Sequence, residues 1–175
     1  MKPHIISIAG KSNAGKTTLM EKLIAALSRR GHKIGSVKHA HDGFEIDKKG
    51  KDSWRHKNAG ASAALVVSDG KIALVKDDDR PVPEKLADYL GDMDIILVEG
   101  LKRLNLPKIE IFRQDSGHDH PLFMDSPDLI AFVTDTPFCP DVPVFSLNDV
   151  DGLADFLETS YLGLKEAQSF VSSRS

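Results

Sequence analysis

Apolar residues along the chain fall into short runs separated by polar stretches rich in Gly, Pro, Asp and Ser. The first run, Ile5-Ile6-Ser7-Ile8-Ala9, is apolar at nearly every position, the pattern of a strand covered on both faces. After a Gly-rich turn a helical repeat begins. Leu19, Leu23 and Leu27 recur every fourth residue, with Met20 and Ile24 beside them on the same face. Arg29 and Arg30 fall in the last turn and Gly31 is the expected C-terminal cap. Ile34 to Val37 returns to an extended pattern, so the opening third predicts a βαβ unit and a parallel sheet.

Lys38 to Lys51 is polar and aperiodic, a long loop. Asp52 or Ser53 is expected to cap a short helix ending near Gly60. Ala63 to Val67 and Ile72 to Val75 flank Asp69-Gly70, which predicts a tight hairpin with positive φ at both central residues. Pro83 opens a helix that runs to about Leu90. Ile95 to Val98 is a further buried strand. Ile109-Glu110-Ile111-Phe112 alternates weakly and predicts an exposed or edge strand. Gln114 to Pro127 is a second polar loop. Leu129 to Val133 and Val142 to Phe145 read as strands, and Asn148 as the cap of a last helix through Leu157. Residues 1–163 are expected to form a single domain, and 164–175 a polar tail without fixed structure.

Composition narrows the classes of function. A length of 175 residues suits one domain, and 41 % hydrophobic with 28 % charged residues is ordinary globular usage. A net charge of −3 gives no reason to expect a nucleic-acid partner. One Cys excludes an internal disulfide framework and fits a reducing compartment. No apolar run approaches the roughly 18 residues of a membrane helix. Lys11 and Lys16 follow the first apolar run where a signal peptide would be cleaved. A cytoplasmic protein with no membrane partner is the expectation.

The chemistry begins at residue 10. Gly10-Lys11-Ser12-Asn13-Ala14-Gly15-Lys16-Thr17 matches G-x-x-x-x-G-K-[ST] in full, between a buried strand and an amphipathic helix. In such a loop the glycines let the backbone approach phosphate oxygens. The N–H groups of Asn13 through Thr18 form an anion nest at the positive end of the helix. Lys16 would reach the β- and γ-phosphates and the Thr17 hydroxyl would bind Mg²⁺. The fold class this implies is α/β: a three-layer P-loop NTPase-like domain with a mostly parallel sheet and an antiparallel hairpin.

Three other positions carry candidate roles. Glu99 ends the apolar run Ile95-Ile96-Leu97-Val98, where open α/β sheets place their ligands. It would hold Mg²⁺ through a water or orient an attacking water. Between Lys33 and Lys57 stand seven basic and four acidic residues, a positive region suited to an anionic second ligand. Lys51 and Arg55 are its candidate phosphate contacts, and Asp47 a candidate for the Mg²⁺ shell. Asp135 would accept from the N1–H and amino group of guanine, selecting GTP. His39 with His41, and His118 with His120, are imidazole pairs with metal-ligand chemistry.

The chain resembles the MobB family of molybdopterin-guanine dinucleotide biosynthesis adaptor proteins, from about Ile5 to Leu157. The resemblance rests on Gly10 to Thr18, Val37-Lys38-His39 with His41, Asp47 through Ser53, Ala59-Gly60-Ala61 and Leu97-Val98-Glu99-Gly100-Leu101-Lys102. It implies a homodimeric GTP-binding protein with weak GTPase activity. Such a protein assists the nucleotidyltransferase that joins GMP to molybdopterin, and molybdopterin itself is a further candidate ligand. The hairpin and the strand near Ile109 are candidate dimer edges. Slow hydrolysis also fits the residues: no Gln or Arg stands out as placed to neutralise γ-phosphate charge. Two alternatives stay open on the sequence. A small-molecule kinase using ATP shares the loop, although the seven Arg form no lid-like cluster. A metallochaperone GTPase would draw on Cys139-Pro140, although Asp141 follows and no second Cys exists.

Overall fold

The computed structural model describes residues 2–40 and 43–163, so His41 and the expected tail at 164–175 lie outside the described residues. The chain divides into two compact units. The first comprises residues 1–39 and 87–175, the second residues 40–86.

The first unit is built on a six-stranded sheet in the order β2-β5-β1-β6-β7-β8. The strands are β1 (His4–Ala9), β2 (Ile34–Lys38), β5 (Ile95–Glu99), β6 (Lys108–Phe112), β7 (Leu129–Thr134) and β8 (Val144–Phe145). Every neighbouring pair is parallel. Helix α1 (Lys16–Arg29) and helix α4 (Val150–Leu157) cover one face. There Ile6 and Ile8 of β1, Ile95 and Leu97 of β5, and Ile109 and Ile111 of β6 meet Leu19, Leu23 and Leu27 of α1 and Leu153 and Leu157 of α4. The period of two along the strands and of nearly four along the helices puts these residues on one surface. Asp94 is a turn residue that secures the start of β2, where its Oδ2 accepts the Lys33 N–H at 2.7 Å.

β6 is an interior strand, not the edge strand its weak alternation predicts. It pairs with β1 and β7, and all five of its residues are buried. The polar positions that mimic an edge pattern are satisfied inside. Lys108 Nζ donates to the Leu104 and Leu106 carbonyls and to Asp128 Oδ2 at 2.7, 3.0 and 3.0 Å. The Glu110 carboxylate accepts the backbone N–H groups of Leu122 and Phe123 at 2.6 and 2.9 Å. Burial raises the Glu110 pKa above its ordinary value, and those two N–H donors only partly oppose it. An interior β6 has no free edge, so it is no dimer edge.

The cap of α4 is Asp149 rather than Asn148; its carboxylate accepts the Gly152 N–H at 3.1 Å. α4 runs on into one wider turn, Glu158–Leu162. There Glu158 joins α1: it accepts from Arg30 Nη1 at 2.6 Å and lies 2.7 Å from His32 Nε2.

The second unit contains α2 (Asp52–Asn58) and a two-stranded antiparallel sheet of β3 (Ala63–Ser68) and β4 (Lys71–Lys76). Helix α3 (Val82–Tyr89) crosses the boundary between the units. Lys51, not Asp52 or Ser53, occupies the cap position of α2, and its ammonium has no acceptor for a helix N–H; the Ser53 hydroxyl donates to Asp47 Oδ1. The hairpin closes at Ser68↔Lys71 as expected, but neither Asp69 nor Gly70 takes positive φ. Six consecutive residue pairs hold its register, so the turn type is not what sets it.

Candidate functional site

The carboxyl ends of β1, β5 and β6 converge on the loop Gly10 to Thr17, which leads into α1. Gly10 has φ of 145°, and a Cβ there would lie 2.5 Å from the Ile111 carbonyl oxygen. Only glycine lets the loop pass this close to β6. Gly15 precedes α1 at φ 91°, and Asn13 takes the left-handed conformation at φ 61°, which Asn tolerates better than most residues. Ala14 is fully buried beneath the loop, while Ser12, Asn13, Thr17 and Thr18 retain solvent exposure. The backbone at the helix start is therefore presented to solvent as an anion site would require.

Lys16 Nζ donates to the Lys11 carbonyl at 2.7 Å, folding across its own loop. Burial and the neighbouring Lys102 push its pKa down from the ordinary lysine value, while Glu99 pulls it up. Thr17 Oγ1 donates to Glu99 Oε2 at 3.0 Å, and Lys38 Nζ is hydrogen-bonded to Glu99 Oε1. Burial opposes ionisation of Glu99. The bonds from Lys38 and Thr17 and the Lys16 charge outweigh it, so Glu99 is held below the usual carboxylate range. A hydroxyl and an ionised carboxylate in contact are the donor set Mg²⁺ takes alongside phosphates and water. Just beyond, Leu101 is buried at φ 55°, a strained conformation for a branched residue, and Ser7 Oγ donates to the Gly100 carbonyl at 2.6 Å.

The other expected residues divide between the units. Asp135, at the end of β7, is exposed and its Oδ1 accepts the Gln114 N–H at 2.8 Å. Asp47, Lys51 and Arg55 belong to the second unit. Asp47 Oδ1 accepts from Ser53 Oγ and from the Lys48 N–H. Lys51 and Arg55 are exposed, and Arg55 lies 3.8 Å from Asp52. His120 packs edge-on against Phe138 at 5.9 Å. Among the described residues, no group of three or more His, Cys, Asp or Glu side chains is arranged to hold a metal ion. Cys139 is an exposed free thiol. No described helix is long and apolar enough to cross a membrane.

Two contacts of the site escaped the sequence reading. Lys38 is the direct partner of Glu99. Arg113, just beyond β6, sits beside the loop: a Cβ on Gly15 would lie 3.6 Å from Arg113 Cδ and 3.9 Å from Nη1. Its position one residue past a strand end was the available signal, hidden by reading β6 as an edge.

Known proteins share this architecture and sequence. The pattern of the family described as "Molybdopterin guanine dinucleotide synthesis protein B" (MobB) matches residues 5–135. The molybdopterin-guanine dinucleotide biosynthesis adapter protein of Escherichia coli (strain K12) is 39 % identical over 158 residues, covering 87 % of this chain and 90 % of that protein. Its counterpart in Haemophilus influenzae is 36 % identical over 160 residues, covering 88 % and 87 %. The crystal structure of Bacillus subtilis MobB superposes with a TM-score of 0.70 at 25 % identity, covering 93 % of this chain and 99 % of that one. A MobB homologue from Bacillus stearothermophilus gives 0.63 at 29 % identity, covering 89 % and 95 %. The six-stranded parallel sheet with its separate antiparallel ribbon is thus the P-loop NTPase-like fold of these proteins. Alike in sequence along most of their length and in fold throughout, these relatives leave one assignment: the chain belongs to the MobB family.

Proposed function

We propose that this MobB-type adapter protein of molybdopterin-guanine dinucleotide biosynthesis binds GTP with Mg²⁺ at the Gly10–Thr17 loop, hydrolyses it slowly, and assists the nucleotidyltransferase that attaches GMP to molybdopterin. The observation that carries this reading is the contact between Thr17 and Glu99 at the mouth of a complete phosphate loop. Lys16 leaves the Lys11 carbonyl to meet the β- and γ-phosphates. The backbone from Asn13 to Thr18 holds phosphate oxygens, with Gly10, Ser12, Ala14 and Gly15 shaping the turn. Thr17 and Glu99 hold Mg²⁺, which supplies positive charge against the terminal phosphates when bound. Glu99, kept ionised by Lys38, also accepts a hydrogen bond from the attacking water. Asp135 selects guanine. Lys51 and Arg55, exposed in the second unit, suit an anionic second ligand such as the molybdopterin phosphate.

We further propose a cytoplasmic homodimer formed through the β3–β4 ribbon. One face of that ribbon presents Leu65, Val67, Ile72 and Leu74, between 43 % and 69 % exposed. Four large apolar side chains on one two-stranded face call for a cover, and a second ribbon of the same kind supplies a matching one.

Equilibrium binding of GTP and ATP with Mg²⁺, with Lys16→Ala as control, tests the nucleotide reading. A GTP preference that disappears in the control supports it. An ATP preference moves the assignment to a kinase and removes the role given to Asp135, and binding of neither nucleotide overturns the reading.

A further inference from the structure

The second unit holds a cavity of about 370 Å³, within the size range of small-molecule sites. Trp54 of α2, Val75 of β4, and Phe44, Ile46 and Asp47 from the loop before α2 line it. None of them belongs to the phosphate loop or to the strands that carry it. Val75 pairs with Ala64, so it stands on the ribbon face opposite Leu65, Val67, Ile72 and Leu74. A dimer formed through those four residues therefore covers the other face.

The polar groups on the cavity wall are unevenly satisfied. Lys57 Nζ donates to Asp77 Oδ2 at 2.6 Å and to the Ala61 and Ser62 carbonyls at 2.8 and 3.3 Å. Those three oxygens take the three protons of the ammonium and leave none for Asp47. Asp47 Oδ1 accepts from the Lys48 N–H at 2.9 Å and from Ser53 Oγ at 3.0 Å. Asp47 Oδ2 is enclosed and has no hydrogen-bond partner among the described residues. A carboxylate oxygen left in that state is costly, and ligand N–H groups would relieve it.

We infer that this cavity holds a pterin ring, with the 2-amino and N3–H groups donating to Asp47 Oδ2 and the ring plane lying on the Trp54 indole. The inference rests on the reading that the second unit takes molybdopterin, and it names the residues for the ring where that reading named Lys51 and Arg55 for the phosphate. The adjacent N–H groups of a pterin edge match the free lone pairs of Oδ2. The half-buried indole gives a flat apolar surface for the heterocycle. Phe44 and Ile46 are 75 % and 76 % exposed, so little is packed against them and they can move to admit a ring and then cover it. A phosphate is repelled by Asp47, so the anionic end of the ligand belongs outside the cavity, where Lys51 and Arg55 are exposed.

The test titrates 6-hydroxymethylpterin, which carries the ring without a phosphate, into the full chain. Trp54 is the single Trp of the sequence, so its fluorescence reports this cavity. Saturable quenching with a Kd below about 1 mM is expected, and no binding in that range overturns the inference. Lumazine has an oxo group in place of the 2-amino group, presents an acceptor to Asp47, and is expected to bind about tenfold or more weakly. Asp47→Asn is expected to weaken the pterin by about tenfold or more. The Lys48 N–H and Ser53 would hold its amide oxygen and turn its NH₂ toward the ligand's own donors. Equal affinity for pterin and lumazine, or unchanged pterin affinity in Asp47→Asn, overturns the inference. The lumazine comparison uses wild-type protein, so it decides alone if Asp47→Asn does not fold. Guanosine shares the amino–oxo edge but brings a ribose to an apolar wall, and is expected to compete poorly. Guanosine that binds more tightly than the pterin would make this a guanine site and overturn the assignment. Lys51→Ala with Arg55→Ala is expected to leave the phosphate-free pterin within about twofold. A larger loss would place the ring against those residues and overturn the Asp47 site. Wild-type protein that binds inorganic phosphate through Lys51 and Arg55 but no pterin loses the ring site and keeps the second-ligand reading. Protein that binds neither loses both.

Discussion

Thr17 and Glu99, 82 residues apart in sequence, meet through a 3.0 Å hydrogen bond that joins the start of α1 to the end of β5. Lys38 holds the other Glu99 oxygen, so one carboxylate is gripped from α1 and β2 at once. Any cation that enters must take Thr17 away from Glu99 or share both, which makes Glu99 the natural place to perturb activity without touching the loop.

Glu99→Gln keeps the size of the side chain and removes its charge. GTP turnover measured under single-turnover conditions is expected to fall roughly 100-fold or more. Because Lys38, Thr17 and Lys16 hold the Glu99 pKa below its ordinary value, wild-type turnover should show no Glu99 titration near neutral pH. The acid limb should appear only below the ordinary carboxylate range. Turnover equal to wild type in the variant would remove Glu99 from the mechanism.

Gly10→Ala places a methyl group 2.5 Å from a backbone carbonyl, at a φ that L-residues rarely adopt. The loop must move off β6 to accommodate it. Loss of nucleotide binding with the far-ultraviolet circular dichroism retained is the expected result, and a variant that binds GTP normally would show that the loop tolerates another path.

Glu158 links α1 to the wide turn after α4, and burial opposes its ionisation. The bonds from Arg30 and His32 outweigh that and lower its pKa. A depressed folded-state value means the contribution is fully present above the ordinary glutamate pKa and is lost as pH falls through the lowered one. Glu158→Gln is expected to cost about 2 kcal/mol at neutral pH, a fall in Tm of roughly 4–8 °C for a chain of this size. Denaturation curves of variant and wild type should converge as the medium is acidified below about pH 4. A constant gap down to the lowest pH would contradict the assignment.

Val67→Asp with Ile72→Asp puts two carboxylates opposite each other on the exposed ribbon face. Static light scattering is expected to report a monomer for the double variant and a dimer for the wild type. A monomeric wild type would remove the dimer proposal.

The strands and helices with strong apolar periodicity were legible in the sequence: β1, α1, β2 and β5 fall within about a residue of their expected bounds. The turn from Gly10 to Thr17 into α1 was legible too, because its two glycines stand where the backbone takes positive φ. β6 was misread because Lys108 and Glu110 look like solvent-facing residues, and only the folded chain supplies Asp128 and the Leu122 and Phe123 N–H groups as partners. The Asn148 cap failed for a similar reason. Asn and Asp in succession are both good caps, and the one whose oxygen reaches Gly152 is decided by backbone geometry. Lys38 was visible as part of a basic stretch, but its pairing with Glu99 arises from the parallel register of β2 and β5, which aligns those two residues.

The buried polar groups of β6 also act as an alignment key. A slip of one residue against β1 or β7 would turn Lys108 and Glu110 toward the apolar surface under α1 and α4, and strand their partners on the other side. Purely aliphatic parallel strands lack such a penalty and can pair in more than one frame. Since the Ile111 carbonyl sets how closely Gly10 may approach, the correct frame of β6 is also what shapes the turn from Gly10 to Thr17. Replacing the Lys108–Asp128 and Glu110 contacts with hydrocarbon would therefore threaten fidelity of assembly before it threatened cohesion.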